Sequence, residues 1–292
     1  MSRNIPDSSK KLLKYITDEI HLEESAEEVL SIAYLIMEHV FGLDKAEIIL
    51  DRSINISNSK AKELKEFIKR INTYEPIQYI LGETEFYGRE FKVDKGVLIP
   101  RGETEELVQL IINENQGKKI KLLDIGTGTG CIPITLLKEL RGARAFAIDY
   151  DPRAIKVARK NAQLHNVPIE FLLIDILNEP IPVQSLDVIV SNPPYVTESD
   201  KLQMKPNVLK YEPAMALFVE DSDPLLYYRR IAELAKSTLK EHGLLYFEIN
   251  ERFGEDVKTL LEVMDYSDVQ IVKDLHGKDR IARASNSVNV LT

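Results

Sequence analysis

The feature that most constrains the fold is an alternation of apolar strands and amphipathic helices that begins near residue 119. Short runs of Leu, Ile, Val and Ala are typical of buried strands, and the segments between them show the 3.6-residue spacing of helices. Strands are predicted at residues 121–125, 145–149, 169–174, 186–191 and 243–249. Helices are predicted at residues 103–115, 132–140, 152–165 and 227–242. This order predicts an α/β fold, in which a parallel sheet carries helices on both faces.

Residues 1–75 show no strand pattern and are predicted to form four short amphipathic helices packed as a small bundle. Ser25 begins the second helix with a capping-box pattern, and Gly42 ends it. Asp44 begins the short third helix, and Asn58 begins the fourth. Such a bundle is either a structural cap or a docking module for a partner, and the residues do not separate these two interpretations.

The stretch after the bundle is predicted to be a β-hairpin linker. Phe86 and Phe91 stand on either side of Gly88, among aromatic and β-branched residues that are typical of a hairpin. The predicted domains are therefore the helical bundle, the linker and the α/β domain, at residues 1–75, 76–100 and 101–292.

The charge balance argues against a broad nucleic-acid-binding protein. The chain has 38 Lys and Arg against 47 Asp and Glu, a net charge of −9, whereas the neutralisation of phosphates needs a basic face. A local basic patch is still compatible with this total. The one cysteine, Cys131, can form neither an internal disulfide nor a cysteine-rich zinc site, and the five histidines are scattered, so no metal centre is predicted.

The chain carries no signal of membrane contact. No apolar run approaches the ~20 residues that a membrane-spanning helix needs. Residues 1–14 are polar and do not resemble a signal peptide. A cytoplasmic protein is therefore predicted.

A glycine-rich loop lies between the first strand of the alternation and its helix. Glycines there let the backbone turn sharply and approach a ligand beyond the carboxyl edge of the sheet. The spacing is G-x-G-x-G after an acidic residue, whereas the dinucleotide fingerprint is G-x-G-x-x-G. Paired with an acidic residue, Asp149, at the end of the second strand, the loop favours an adenosine-bearing cofactor over a merely tight turn. Its residues are Asp124, Ile125, Gly126, Thr127, Gly128, Thr129 and Gly130.

Acidic residues end the next two strands. Asp149 ends the second strand, where a carboxylate can accept hydrogen bonds from both ribose hydroxyls of a nucleoside. Asp175 ends the third strand, at the edge where the adenine of such a ligand lies, and Ile176 can cover the ring. The alternative for Asp175 is a surface residue that begins a loop.

An Asn-Pro-Pro-Tyr motif follows the fourth strand, and its residues are Asn192, Pro193, Pro194 and Tyr195. The prolines fix φ and remove two backbone donors, which leaves carbonyl oxygens free to accept. The Asn192 side-chain carbonyl and the Pro193 carbonyl can together accept both hydrogens of an –NH₂ group, while Tyr195 offers a flat surface for stacking.

Two such acceptors suit methyl transfer to a planar nitrogen. An amide or aniline-type nitrogen is a poor nucleophile because its lone pair is conjugated. The acceptors draw it toward tetrahedral geometry and aim the lone pair at a sulfonium methyl group, so positioning and electrostatic stabilisation carry the catalysis. A proline-rich turn that merely ends a strand is the alternative. Downstream of the glycine loop, the motif predicts an S-adenosylmethionine-dependent methyltransferase.

The sequence resembles the HemK/PrmC family of protein-(glutamine) methyltransferases, which modify peptide chain release factors. The resemblance covers nearly the whole chain, whereas the Asn-Pro-Pro-Tyr motif by itself also occurs in amino-methylating DNA enzymes. The matching segments run from Pro-Ile-Gln-Tyr-Ile-Leu-Gly to Gly-Lys-Asp-Arg, at residues 76–82, 86–88, 97–101, 103–105, 124–130, 192–195, 211–213, 216–218, 273–275 and 277–280.

The resemblance implies a Rossmann-like class I S-adenosylmethionine-dependent methyltransferase domain, a helical domain that contacts the release factor, and a hairpin linker. It implies methylation of the side-chain amide of the glutamine in a Gly-Gly-Gln loop, with S-adenosyl-L-methionine as donor. The protein is predicted to be a monomer. Residues 126–130, Asp149 and Asn192 would contact the donor, and residues 192–195 the glutamine. Arg101 and Glu103 would help to shape the pocket, unless they form an ordinary salt bridge at a helix start.

Two positions depart from the family pattern. Gly102 stands where the family commonly has proline, which loosens that turn. Ile176 stands where the family often has an aromatic residue over the adenine, so stacking should weaken while apolar cover is kept.

Two other functions remain to be weighed. Adenine presents a similar conjugated –NH₂, so an adenine-N6 or other nucleic-acid methyltransferase is the first alternative; the net charge of −9 and the linker segments argue against it. A non-catalytic binding protein that keeps the fold is the second, and the intact Asn-Pro-Pro-Tyr motif argues against that.

Overall fold

The computed structural model describes residues 5–286 of the chain. Within that range the α-helices are α1 Ser9–Glu19, α2 Ala26–Phe41, α3 Lys45–Ile49, α4 Asn58–Ile71, α5 Ile77–Leu81, α6 Gly102–Asn115, α7 Cys131–Glu139, α8 Pro152–Leu164, α9 Pro206–Tyr211, α10 Leu226–Thr238 and α11 Gly254–Val263. The strands are β1 Glu83–Phe86, β2 Arg89–Lys92, β3 Lys121–Ile125, β4 Arg144–Asp149, β5 Ile169–Leu173, β6 Leu186–Ser191, β7 Val196–Thr197, β8 Phe218–Val219, β9 Leu239–Glu248, β10 Ser267–Lys273 and β11 Asp279–Asn286. Short 3₁₀ segments lie at Glu198–Gln203 and Ala214–Ala216.

The first compact unit contains the described residues up to Gly82 together with Lys205–Tyr211. Its helices begin and end where short-range signals predict. The Ser25 hydroxyl accepts from the Glu28 amide at the start of α2, and Gly42, with φ of 70°, ends that helix. A complete capping box at Asp44 begins α3. The cap of α4 is Ser57, one residue before the predicted start.

The first unit extends further than the predicted bundle of residues 1–75. Ile77 and Ile80 of α5 are buried in the core that α1, α2 and α4 form, because their apolar faces continue the helical packing. Later in the chain, the Tyr211 hydroxyl donates to the Thr73 carbonyl at 3.0 Å, and Lys205 pairs with Glu24 at 2.6 Å. The terminal parts of the predicted bundle and α/β domain, residues 1–4 and 287–292, lie outside the described residues.

The second unit contains the rest of the described chain and begins with the hairpin. Strands β1 and β2 pair antiparallel, as the sequence predicts, around a turn in which Tyr87 and Gly88 have φ of 51° and 67°. Two successive positive φ values are the mark of a tight hairpin turn. Phe86 and Phe91 meet edge-to-face, with ring centroids 5.9 Å apart, and are buried in the core beneath the sheet. The hairpin therefore packs as part of the second unit.

The sheet of the second unit has the order β10-β11-β9-β6-β3-β4-β5. Strands β9, β6, β3, β4 and β5 run parallel, which confirms the α/β fold and its predicted strands. At one edge β11 pairs antiparallel with β9 and β10 pairs antiparallel with β11, so a wholly parallel sheet is wrong there. The predicted end of the long helix is also wrong. It ends at Thr238, because Leu239 turns into the sheet and pairs with Leu186 as β9 begins.

The strand order creates a switch point next to β3. The chain continues from β3 to β4 and β5 on one side, then returns to β6 and β9 on the other. Helices after neighbouring strands consequently diverge, and a crevice opens beyond the carboxyl ends of the strands at that point. Separate apolar cores cover the two faces of the sheet. Within residues 5–286, every helix is too short or too polar to cross a lipid bilayer.

Candidate active site

A cleft, called the main cleft below, lies at the switch point of the sheet. It encloses about 980 Å³ of empty space that is open to solvent, which is within the size range of small-molecule sites. Its walls are the glycine loop after β3, the end of β4, the turn after β5 and the Asn-Pro-Pro-Tyr motif after β6. The fold thus brings together segments that are widely separated in sequence.

The glycine loop passes along one wall of the main cleft. Gly126, Gly128 and Gly130 all have positive φ, of 75°, 54° and 79°, a region that residues with a Cβ adopt at a cost. Gly126 and Gly128 line the main cleft. Gly130 instead begins α7, where a Cβ would come within 3.2 Å of Ala158. Thr127 and Thr129 are buried behind the loop, outside the cleft lining.

Asp149 is tied to the glycine loop from the neighbouring strand. Its Oδ2 accepts from the Gly128 amide at 2.9 Å, and its Oδ1 accepts from the Asp151 amide at 3.0 Å. Burial raises the pKa of the Asp149 carboxyl, and the two amides partly oppose that rise. Since a carboxylate accepts at about four positions, lone pairs are left for a ligand in the main cleft.

Asp175 and Ile176 form the next part of the cleft wall. Asp175 Oδ1 accepts from the Leu177 amide at 3.0 Å, and its Oδ2 accepts from the Asn178 side chain at 2.7 Å. This carboxylate therefore shapes its own turn as well as lining the main cleft. Ile176 is 8% exposed and adds apolar cover.

Two tyrosines that line the main cleft, Tyr150 and Tyr227, were not predicted as site residues from the sequence. Tyr150 follows Asp149 directly and is 44% exposed, and Tyr227 comes from α10. Burial and the charge of Asp175 raise the pKa of Tyr227, so its hydroxyl remains protonated at neutral pH. Tyr150 could have been predicted as a site residue because it directly follows Asp149 at the end of a strand, whereas no sequence feature marked Tyr227 as one. Aromatic surface is thus present in the main cleft although Ile176 is aliphatic.

The Asn-Pro-Pro-Tyr motif forms the part of the cleft wall next to the glycine loop. Asn192, Pro193 and Pro194 line the main cleft. Tyr195 does not line it; its hydroxyl donates to Glu248 Oε1 at 3.0 Å, and its ring packs against a different apolar core from the one that buries Phe86 and Phe91. Burial raises the pKa of Tyr195 well above its ordinary value, so this hydroxyl acts as a donor. The tyrosine therefore anchors the motif from behind.

A buried carboxylate supports Asn192 from the same side. Asn192 Nδ2 donates to Thr104 Oγ1 at 3.2 Å, and Thr104 Oγ1 donates to Glu248 Oε2 at 2.6 Å. Glu248 is 1% exposed. Burial raises the pKa of its carboxyl, while the hydroxyls of Thr104 and Tyr195 and the charge of Arg280 oppose the rise. Neither Thr104 nor Glu248 was predicted, because no local pattern joins residues so far apart.

Arg101 and Glu103 lie outside the lining of the main cleft. Arg101 does not pair with Glu103 across the helix start; its guanidinium pairs with Glu212, whose side chain is 1% exposed. That pair holds the segment leading to Pro213, which does line the main cleft. Glu103 faces a second, shallower cavity that Tyr87 and Leu275 also line.

Asp124 is the most isolated charge near the glycine loop. It is fully buried, and neither carboxylate oxygen has a hydrogen-bond partner among residues 5–286. Removal from water raises the pKa of Asp124 to about 7, the charge of Asp149 adds to the rise, and the nearby Thr127 hydroxyl opposes it. A buried carboxylate without partners is costly, and a positively charged ligand in the neighbouring cleft would lower that cost.

Comparison with known proteins first defines the class. The Methyltransferase small domain family matches residues 99–211. The solved structure of a methyltransferase from Pyrococcus furiosus aligns over 80% of this chain and 100% of its own, with a TM-score of 0.50 and 17% identity, a likeness that shows the fold. The second unit is therefore a methyltransferase domain of the Rossmann-like class I fold.

Sequence relatives then define the family. The PrmC N-terminal domain family matches residues 11–82 and so ends where the first part of the helical unit ends. The release factor glutamine methyltransferase of Bacteroides thetaiotaomicron is 46% identical over 94% of this chain and 99% of its own. The enzyme of the same name from Flavobacterium psychrophilum is 44% identical over 88% and 92%. This chain belongs to the release factor glutamine methyltransferase family, which confirms the resemblance predicted from its motifs.

Proposed function

We propose that this chain methylates the side-chain amide nitrogen of the glutamine in the Gly-Gly-Gln motif of peptide chain release factors, with S-adenosylmethionine as donor. The names of its relatives support the substrate. The observation that carries the proposal is the placement of Asn192 and two prolines at the edge of a cleft next to a glycine loop. Cytoplasmic location and a monomeric state stay predictions.

The main cleft fits S-adenosylmethionine in charge and chemistry. The donor carries a sulfonium and an ammonium group, and Asp124 is a buried carboxylate without a partner among residues 5–286. Asp149 keeps lone pairs for ribose hydroxyls, and Gly126 adopts a φ of 75° and presents no side chain to a ligand in the main cleft. Tyr150 and Ile176 would cover the adenine. Once bound, the donor supplies an electrophilic methyl group.

The chain's own part in the reaction is to hold the substrate amide. The Asn192 Oδ1 and the Pro193 carbonyl accept the two amide hydrogens, so the nitrogen is fixed and its lone pair is released from conjugation. The missing N–H groups of both prolines keep competing donors away. The N–H proton becomes acidic once the methyl group is attached, so no strong base is required beforehand.

The test is a transfer assay with labelled donor and three substrates. We expect label on native release factor, none on a release factor whose Gly-Gly-Gln glutamine is replaced by alanine, and none on duplex DNA. Label on DNA but not on release factor would overturn the proposal in favour of an amino-methylating nucleic-acid enzyme.

We propose further that the helical unit docks the release factor. Two exposed apolar side chains at the end of α3, Ile49 at 64% and Leu50 directly after the helix at 70%, support this role. Ile49→Lys should raise KM for release factor at least about 10-fold, the effect expected when an apolar anchor is lost, without changing donor affinity. The matched control is Val263→Lys, which adds the same charge at a 76% exposed residue of the second unit. Equal KM values for the two variants would refute the docking role.

A further inference from the structure

A buried hydrogen-bond chain runs behind the Asn-Pro-Pro-Tyr motif. It joins Asn192 to Thr104 in the first turn of α6 and Thr104 to Glu248 at the end of β9. The Tyr195 hydroxyl approaches the other oxygen of Glu248, and the Tyr228 hydroxyl donates to the Glu248 backbone carbonyl at 3.2 Å. Thr104 and Glu248 are 3% and 1% exposed, so solvent cannot easily replace these contacts.

The hydroxyl and carboxyl protons available in this hydrogen-bond chain decide which group donates and which accepts in each hydrogen bond. An ionised carboxylate only accepts, so Thr104 and Tyr195 must both donate their single hydroxyl proton to Glu248. The Thr104 oxygen is then left with lone pairs alone. It can only accept from Asn192, which must therefore turn its –NH₂ toward Thr104.

The orientation of the Asn192 amide matters because its two ends have opposite hydrogen-bonding character. With the –NH₂ held by Thr104, the side-chain carbonyl is the end left for the substrate. In the opposite orientation a donor would face the –NH₂ of the substrate, and the grip would be lost. An unconstrained asparagine amide exchanges these ends by simple rotation of its side chain.

We propose that Thr104 and Glu248 are positioning residues that fix the orientation of the Asn192 amide, so that its carbonyl oxygen faces the substrate nitrogen. The inference rests on the proposed gripping role of Asn192. Neither residue lines the main cleft, and both act through Asn192. Burial raises the pKa of the Glu248 carboxyl, whereas the Thr104 and Tyr195 hydroxyls and the charge of Arg280 stabilise the ionised form that these hydrogen bonds require.

The principal test compares Thr104→Val with Thr104→Ser in single-turnover methyl transfer. Valine keeps the shape and loses the acceptor, so we expect the rate to fall about 10- to 100-fold, the range seen when a catalytic group is misplaced. Serine keeps the hydroxyl and should stay within about 3-fold of the native rate. Donor affinity should be unchanged in both. The matched control is Thr135→Val, which removes a hydroxyl at a fully buried threonine of α7 and should leave the rate unchanged.

A second variant tests the charge of Glu248. Glu248→Gln has one acceptor oxygen and an –NH₂ group that only donates, so it cannot accept from the Thr104 and Tyr195 hydroxyls at its two ends. We expect the same loss of rate with unchanged donor affinity. A native rate in this variant would show that an ionised carboxylate is not needed and would overturn the inference.

A substrate-free measurement separates this inference from the proposed function. In ¹⁵N-labelled protein the Asn192 side-chain –NH₂, assigned by its loss in Asn192→Asp, should exchange slowly with water. Thr104→Val should accelerate that exchange and Thr135→Val should not. Equal exchange in all three proteins would overturn the inference even if release factor is methylated, and accelerated exchange would support it even if the true substrate is a different –NH₂ group.

Discussion

Replacing Asp124 with asparagine removes a charge that the folded chain holds out of water. The native carboxyl has a pKa of about 7 in the folded chain against an ordinary value of 3.8. Between those values the folded chain keeps a proton that the unfolded chain has released, so stability falls as pH rises through this window. Each pKa unit corresponds to about 1.4 kcal/mol, and the full difference amounts to at most ~4 kcal/mol above pH 7.

Asparagine has the same shape and cannot ionise, so Asp124→Asn should lack this decline. We expect its free energy of unfolding to equal that of the native chain below pH 3.8, where both states of the native carboxyl are protonated, and to exceed it by up to ~4 kcal/mol at pH 8. Urea unfolding at several pH values without methyl donor measures the difference. The matched control is Asp256→Asn, at an exposed position of α11. A native-to-variant difference that stays constant from pH 5 to 8 would refute the reasoning.

The same substitution should weaken the binding of a cationic donor. Titration calorimetry with S-adenosylmethionine should show at least about a 10-fold rise in Kd, because a charge-assisted interaction is replaced by a neutral one. Asp124 would then lower the stability of the free protein and raise its affinity for ligand. An unchanged Kd in Asp124→Asn would show that the Asp124 carboxylate takes no part in donor binding.

Three further substitutions test the site. Asn192→Ala should lower the transfer rate by about 100-fold or more, since the group that grips the substrate is gone, while calorimetry still detects donor binding; a near-native rate would contradict the grip. Asp149→Ala should chiefly raise the donor Kd, by about 10-fold or more for a lost carboxylate–hydroxyl contact, and unchanged affinity would remove its ribose role. Gly130→Ala should destabilise the fold by about 2–4 kcal/mol, because φ is positive and the new methyl meets Ala158 and Ile134; an unchanged midpoint of urea unfolding would contradict that.

The central strands and the site loops could be predicted because their signals are local. Strands β3 and β6 are rich in Leu, Ile and Val, interrupted only by Asp124 and Asp187, which is close to the pattern expected for strands that are buried on both faces. The glycine loop and the Asn-Pro-Pro-Tyr motif directly follow these strands. Parallel pairing then places both at one edge of the sheet.

The elements that were missed depend on contacts between distant residues. Strand β10 mixes Asp268, Gln270 and Lys273 with apolar residues, because one edge of the sheet is solvent-exposed. The Thr104–Glu248 bond and the Arg101–Glu212 pair join residues more than 100 positions apart. Composition and periodicity contain no information on such long-range contacts, so the hydrogen bonds and ion pairs that hold the site residues in place were not predictable from local sequence.

The helix within Lys205–Tyr211 has a consequence for the modularity of this enzyme. It is encoded between β7 and β8 of the catalytic unit, yet it packs with the N-terminal helices through Tyr211 and Lys205. A gene fragment that stops at Gly82 would express the helical unit without this piece. Recombination between homologues at that boundary would pair one parent's helices with the other parent's insert. A chimera should therefore exchange both segments together, as one discontinuous module.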